Sequence, residues 1–480
     1  MKNNSKANSS PIPISKFEIM FANIVFISGI LFSAILIAFS AYRLYYLDDL
    51  IYTQYFYQIS LFIAFLSISL FVYGLIRLPP NLKTNFSILF VTLFISIYSF
   101  ETYLSFKYSP PISYQLIEEE KMRIAERDGI PYDKRSKIEL ITELNEDGLN
   151  IKPRYYPAAV LKENGIPIEN GRIFPFGSIS NSLTHMGNEP GYYPIVNTDE
   201  YGFINSKGLY KKEIDIVLIG DSFTEGADVY ENENIGALMR KNDLNVISFG
   251  RGGNDSLLEY AIFREYAIPL KPKIVLWLYY DNDIWGIKNE MDSPILKKYF
   301  NDDNYSQDLA SKQNIIDSAL NKFLSSEIKI KIKIESERIN DKKIGSNLKN
   351  KFFDIIILSN LRGRLQLTAS KNHDSFFIFQ EIIKKANIAT LDLGGKFYFV
   401  NLPSHLNYSK GFKDVYRDSI FDLMSELNIP IIDMHNELFA THEDPLSLFP
   451  FRLPHHYNAE GYRLVTETIL ERLKVDGILN

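Results

Sequence analysis

Asp215-Ile-Val-Leu-Ile-Gly-Asp-Ser-Phe-Thr-Glu-Gly226 decides how the rest of the chain is read. Its aliphatic run, Ile216 to Ile219, has the unbroken apolar character of a strand buried on both faces of a parallel sheet. The run breaks at Gly220, and Asp221-Ser222 follows in the turn. A serine just past the carboxyl end of such a strand stands where open α/β sheets place ligands. There a base and a substrate carbonyl can both reach its hydroxyl, as nucleophilic catalysis requires. Asp-Ser is also a common helix N-cap, so the stretch alone leaves both roles open.

Outward from it the pattern repeats. A helical stretch, Asn234 to Arg240, leads to a second strand, Asn245 to Phe249, ending in Gly250-Arg-Gly-Gly253-Asn254-Asp255. Glycine at a strand end lets the backbone approach a ligand and offer an N–H. A glycine-rich loop can also cradle phosphate, but neither phosphate-binding pattern is completed here. A third strand, Lys273 to Tyr280, is followed by Asp281-Asn282-Asp283, where an asparagine amide donates hydrogen bonds without titrating. The fourth strand is Lys396 to Val400; the fifth, Ile429 to Ile432, ends in Asp433. After Leu453-Pro-His455-His456-Tyr-Asn458-Ala-Glu-Gly461, residues Val465, Ile469 and Leu473 form one apolar helix face. Adjacent histidines suggest metal, but no third ligand stands at usable spacing and neighbouring side chains point apart. No metal or other cofactor is expected.

Gly220-Asp221-Ser222-Phe223-Thr224-Glu225-Gly226 resembles the first block of the SGNH (GDSL-type) hydrolase superfamily, as found in membrane-anchored bacterial members. The later blocks follow in order. Gly253 stands five residues past Ser248, with Gly250 as the other candidate; Tyr280-Asp-Asn282-Asp283 matches Gly-x-Asn-Asp except for Tyr280; and His456-x-Asn458-x-x-Gly461 gives the histidine block. The resemblance implies a three-layer α/β/α sandwich with a parallel five-stranded, flavodoxin-like sheet. It implies Ser222 as nucleophile, His456 as base, and an oxyanion hole from Ser222, Gly253 and Asn282. The family usually has Asp three residues before the histidine, where this chain has Leu453. Asp433 is therefore the candidate acid partner, and a dyad or an inactive fold stays open.

The first hundred residues are of another kind. No charge stands between Glu18 and Arg43, between Asp49 and Arg77, or between Lys83 and Glu101. Each run is long enough for a hydrocarbon layer of about 30 Å, so three transmembrane helices are expected. Lysines in the tail and basic residues in the loop Arg77 to Lys83 put those segments in the cytoplasm and everything after residue 107 outside. The expected organisation is a cytoplasmic tail (1–16), an inner-membrane anchor (17–107), an extracytoplasmic lead-in (108–212) and a hydrolase domain (213–480). The last carries an insertion at about 285–395, a candidate lid. Within the insertion Glu327 to Ile334 alternates strictly and reads as a solvated ribbon, with a charged helix as the other reading. In the lead-in, Asn197 to Phe203 reads as a turn packing beside the sheet.

The chain has 480 residues, net charge −6 and no cysteine. Disulfides and thiolate chemistry are excluded, and no basic surplus argues for nucleic acid. The expected partners are the lipid bilayer and an acylated polysaccharide or lipid substrate; oligomeric state is not legible. The expected activity is that of a serine esterase or acyl-transfer enzyme on O-acyl esters of the cell surface. A scaffold that lost the chemistry, or a phospholipid-directed lipase, are the alternatives.

Overall fold

The computed structural model describes residues 15–46, 51–107, 114–338, 371–409 and 416–479, with isolated positions 355, 356, 358, 361 and 414. The tail before residue 15, the acidic part of the first loop and most of the insertion between 339 and 370 lie outside the described residues. The chain divides into two compact units, Met1–Pro111 with Lys343–Asp374, and Ile112–Lys342 with Ser375–Asn480.

The first unit contains α1 (Lys16–Tyr46), α2 (Ile51–Arg77) and α3 (Pro80–Lys107). All three are long and apolar enough to cross a membrane. Where helices have no water to escape, close packing holds them together. Gly29 takes the ring of Phe71 and Gly74 takes that of Phe26, each at a spot where an added Cβ would collide with the ring. Phe26, Phe71 and Phe90 then meet with centroids 5.2–6.1 Å apart.

The second unit is built on five strands: β1 (Ile216–Gly220), β2 (Val246–Ser248), β3 (Ile274–Tyr279), β4 (Lys396–Asn401) and β5 (Ile431–Asp433). All pair in parallel, in the spatial order β5-β4-β3-β1-β2. Side chains alternate across the sheet, as the strand period demands. Val217, Ile219, Val275, Trp277 and Phe399 enter one core. Ile216, Leu218, Leu276, Leu278 and Val400 enter the other.

Helices cover both faces and complete the three-layer sandwich. α6 (Ile235–Arg240) and α11 (Ala459–Val475) bury Ile235, Met239, Val465, Ile469 and Leu473 in the second core. α7 (Ser256–Ile262), α8 (Gln313–Arg338), α9 (Lys371–Asp392) and α10 (Arg417–Glu426) contribute to the first. Strand order reverses direction at β1, so the crevice for a ligand opens at that strand's carboxyl end.

One local expectation is corrected. Glu327 to Ile334 is helical, as the later part of α8. The helix begins at Gln313, where Ile316, Leu320 and Leu324 anchor it in the core; the alternating Ile, Lys and Glu residues extend it because they are adequate helix formers following an anchored turn. The lead-in is described from Tyr114 onward. It holds helices α4 (Tyr114–Asp128) and α5 (Lys137–Glu146), the latter opened by a Ser136–Glu139 capping box. A three-stranded sheet of Ile151–Lys152, Leu183–His185 and Ile195–Asn197 follows, its strands too short to show a period in sequence. Its Tyr155, Phe174, Phe176 and Phe203 belong to the same core as the sheet. The Asn197 to Phe203 turn packs beside the edge strand: Asn205 just after it exchanges hydrogen bonds of 2.9 Å with both the N–H and the C=O of Ser248 on β2.

Candidate active site

Asp221 leaves β1 and caps a single helical turn, Ser222–Glu225, its carboxylate accepting from the Phe223 N–H at 2.9 Å. Both roles open in the sequence are therefore filled by neighbours: Asp221 caps, and Ser222 presents its hydroxyl. The turn is held from below by β2. Ser248 Oγ donates to the Thr224 carbonyl at 2.9 Å, and an added Cβ on Gly250 would stand 2.2 Å from the Glu225 nitrogen. Only glycine allows that approach.

The structure brings Ser222 and His456 together. His456 Nε2 lies 2.8 Å from Ser222 Oγ. On the other side of the ring, Nδ1 lies 2.9 Å from Glu189 Oε2, which also accepts the His456 backbone N–H at 2.8 Å. A second carboxylate, Asp228, reaches within 3.6 Å of Nδ1. His455 does not share this geometry: it is buried, with Nδ1 3.5 Å from Glu189 Oε1.

The structure does not pair Asp433 with His456, whose carboxylate neighbours are Glu189 and Asp228. The Asp433 carboxylate accepts from Arg417 at 2.5 Å, Asn436 at 2.6 Å and Asn401 at 3.1 Å, which ties β5 to β4 and α10. The carboxylates on the ring come instead from upstream. Glu189 lies in the lead-in, and Asp228 stands two residues past the serine motif with a left-handed φ of 64°. Sequence reasoning missed both. The one available signal was the absent carboxylate at Leu453, which demanded a substitute without saying where.

Electrostatics link these groups. Burial alone would lower the His456 pKa, but the charge of Glu189 and hydrogen bonds to Asp228 and Glu189 hold it well above its ordinary value. Burial would likewise raise Glu189, but the His456 charge and bonds to both histidines hold it well below the usual carboxylate range. A buried charge needs such a partner. Behind them Glu225 is buried between two guanidiniums, accepting from Arg154 and from Arg251 at 2.8 Å. Arg154 also stands 4.0 Å from Asp228, so a chain of alternating charge runs from the glycine loop to the histidine.

The two remaining candidates follow the strands on either side of β1. In the β2 loop the Gly250 N–H is directed to Ser248 Oγ at 3.4 Å and the Gly252 N–H to Glu225 Oε2 at 2.8 Å. That of Gly253, at φ 76° and solvent-exposed, has no acceptor among the described residues. Asn282 is exposed in the turn after β3. Tyr280, where the resemblance has glycine, stacks on Phe223 at 4.1 Å, and Phe223 in turn meets the His456 ring at 4.7 Å. The bulky residue thus backs the histidine through one intervening ring.

Glu189, Asp228 and His456 also offer ligand atoms within 4.8 Å of one another, a spacing a small cation can use. A metal on Nδ1 would fix the proton on Nε2, and that nitrogen could then accept none from Ser222. The hydrogen-bond distances on both sides of the ring fit a proton relay.

No protein-family model matches the chain, and no curated protein does. Solved structures similar to it include a member of the lipolytic protein G-D-S-L family from Veillonella parvula DSM 2008, at 14% identity and TM-score 0.29, covering 54% of this chain and 98% of that one. TesA is similar at 11% identity and TM-score 0.30, covering 54% and 98%. The acetyl xylan esterase AlAXEase is similar at 14% and 0.29, covering 54% and 100%. At such identity the likeness concerns the arrangement of the chain and not its chemistry.

Proposed function

We propose that this chain is a membrane-anchored serine esterase or acyl-transfer enzyme acting on O-acyl esters of cell-surface carbohydrate or lipid. One observation carries the reading: Ser222 Oγ, His456 and Glu189 stand in line at 2.8 and 2.9 Å. A serine hydroxyl is a weak nucleophile unless an adjacent base takes its proton, and the base needs its second nitrogen held by an acceptor.

In this mechanism Ser222 Oγ attacks the acyl carbonyl as its proton passes to His456 Nε2. Glu189, supported by Asp228, stabilises the imidazolium through Nδ1–H. The N–H groups of Ser222 and Gly253, with the Asn282 amide, receive the negative carbonyl oxygen. His456 then gives its proton to the departing alcohol, leaving an acyl-serine. Water or an acceptor hydroxyl, deprotonated by His456, attacks the acyl carbonyl, and His456 returns that proton to Ser222 Oγ as it departs. The apolar helices and the placement of Lys and Arg support an inner-membrane anchor with this unit on the extracytoplasmic side. An inactive scaffold drew its support from the missing carboxylate at Leu453; Glu189 and Asp228 beside Nδ1 support the enzyme reading instead.

A fluorophosphonate probe applied to the detergent-solubilised protein tests the reading. Wild type should be labelled and Ser222→Ala should not; equal labelling of both would place the reactive group elsewhere.

A further inference from the structure

Beside the edge strand β2 lies a cavity of about 560 Å³ that includes neither Ser222 nor His456. Asn205, Lys207, Glu231, Arg240 and Lys241 are among its lining residues. Glu231 is already engaged, its carboxylate accepting from the Asn197 N–H at 2.7 Å and its amide at 3.1 Å. Arg240 is braced by the Val246 carbonyl at 2.9 Å and keeps its charge, burial lowering its pKa only to about 10. Lys207 and Lys241 are exposed and have no ion pair among the described residues. Asp199, bonded to Asn205 at 2.8 Å, and Glu231 offset the charge of Arg240, so Lys207 and Lys241 are the cations left unpaired on this concave surface of a chain of net charge −6. Concave charge focuses field on an anionic ligand, and the asparagine amides beside it suit hydroxyl groups.

Two tyrosines stand close in sequence to Glu189, Asp228 and the cavity residue Glu231. Tyr192 and Tyr230 stack at 5.5 Å with their planes 20° apart, yet stay 39% and 43% exposed. Each belongs to a loop that carries one of the carboxylates on His456. Tyr230 follows Asp228 by two residues and Tyr192 follows Glu189 by three, which limits the Cα separations to about 7 and 11 Å. Tyr230 directly precedes Glu231 of the cavity wall. A stacked pair has few rotamers left to lose on binding, and its exposed ring area suits the C–H face of a sugar ring.

We propose that the Tyr192–Tyr230 pair and the Lys207–Arg240–Lys241 cavity form a subsite for an acidic glycan, which seats the polymer while its ester enters at Ser222. This rests on the esterase reading for its position but not for its binding. The acidic groups are sugar carboxylates or phosphodiesters, both of which an uncompensated Lys pair recognises by charge.

The test uses full-length protein in detergent at low ionic strength. Three probes are compared by calorimetry: oligogalacturonate, oligo(glycerol phosphate) and neutral xylo-oligosaccharide. At least one acidic oligomer should bind, more weakly as salt rises, and the better of the two tells carboxylate from phosphate. Lys207→Glu with Lys241→Glu should weaken it at least about tenfold while the neutral oligomer changes far less. Since both lysines are exposed, their reversal leaves the core intact. Tyr192→Ala should weaken acidic and neutral oligomers alike. Binding of neither acidic oligomer, binding undiminished by the lysine reversals, or capture only of anionic lipid vesicles would overturn the proposal. Fluorophosphonate labelling separates the two claims: labelling without glycan binding defeats the subsite alone, and lysine-dependent binding without labelling defeats the esterase alone.

Discussion

Replacing Glu189 by Gln separates charge from orientation at His456, the proposed base. Glu189 Oε2 accepts both the His456 N–H and Nδ1, while Oε1 faces His455 Nδ1 at 3.5 Å. A glutamine can keep its oxygen on His456 and turn its amide toward His455, so the ring stays aimed at Ser222 and only the charge is lost. Two unit charges 2.9 Å apart attract by about 6 kcal/mol at an effective dielectric near 20. That corresponds to about four decades in rate, and it is a ceiling. Asp228 remains 3.6 Å from the same nitrogen and keeps part of the stabilisation. Glu189→Gln should therefore lower kcat/KM for p-nitrophenyl acetate by about 10²–10³, Asp228→Asn by about tenfold, and the pair by about 10⁴ or more.

The pH profile gives an independent reading of the same change. His456 accepts the serine proton only when neutral, and its pKa is held well above the ordinary value. Wild-type kcat/KM should accordingly rise with pH through that raised pKa. Loss of the Glu189 charge lowers the pKa, so the rising limb should move toward acid. If Glu189→Gln stays within about threefold of wild type and its limb does not move, Glu189 is not the acid partner and the relay is refuted.

Asp433→Asn breaks the bond to Arg417 at 2.5 Å that joins β5 to α10; it should lower the melting temperature at a loss of about 1–3 kcal/mol, while kcat/KM stays within about threefold of wild type. A larger loss of turnover than of stability would return Asp433 to the site. Chelation should leave ester hydrolysis unchanged, because Glu189, Asp228 and His456 act as a hydrogen-bonded relay; activity lost to chelator and restored by one cation would make them metal ligands. Periplasm-dependent reporters fused after residues 107 and 480 should both be active, and cytoplasmic reporter activity at either point would reverse the orientation.

The sequence alone determined the sheet, for a local reason, and pointed to half of the proposed relay by resemblance to a known family. Strands such as Ile216–Gly220 and Ile274–Tyr279 are buried on both faces, so each is an unbroken apolar run. Ser222 and His456 were singled out because two short motifs, Gly220 to Gly226 and His456 to Gly461, resemble family blocks whose spacing is read along the chain. The structure alone decided the other half. Glu189 is 267 residues from His456 in sequence, in a turn with no periodicity, and nothing near it signals a catalytic role. Asp433 looked better placed because it ends a strand, but Arg417, Asn401 and Asn436 claim its oxygens once α10 docks. Likewise the alternation of Glu327 to Ile334 fits a ribbon in isolation, and becomes helix because the turns upstream are already anchored by Ile316, Leu320 and Leu324. A short motif fixes the residues it contains; which distant carboxylate meets a histidine depends on how separate segments pack, and that is settled only when the core closes.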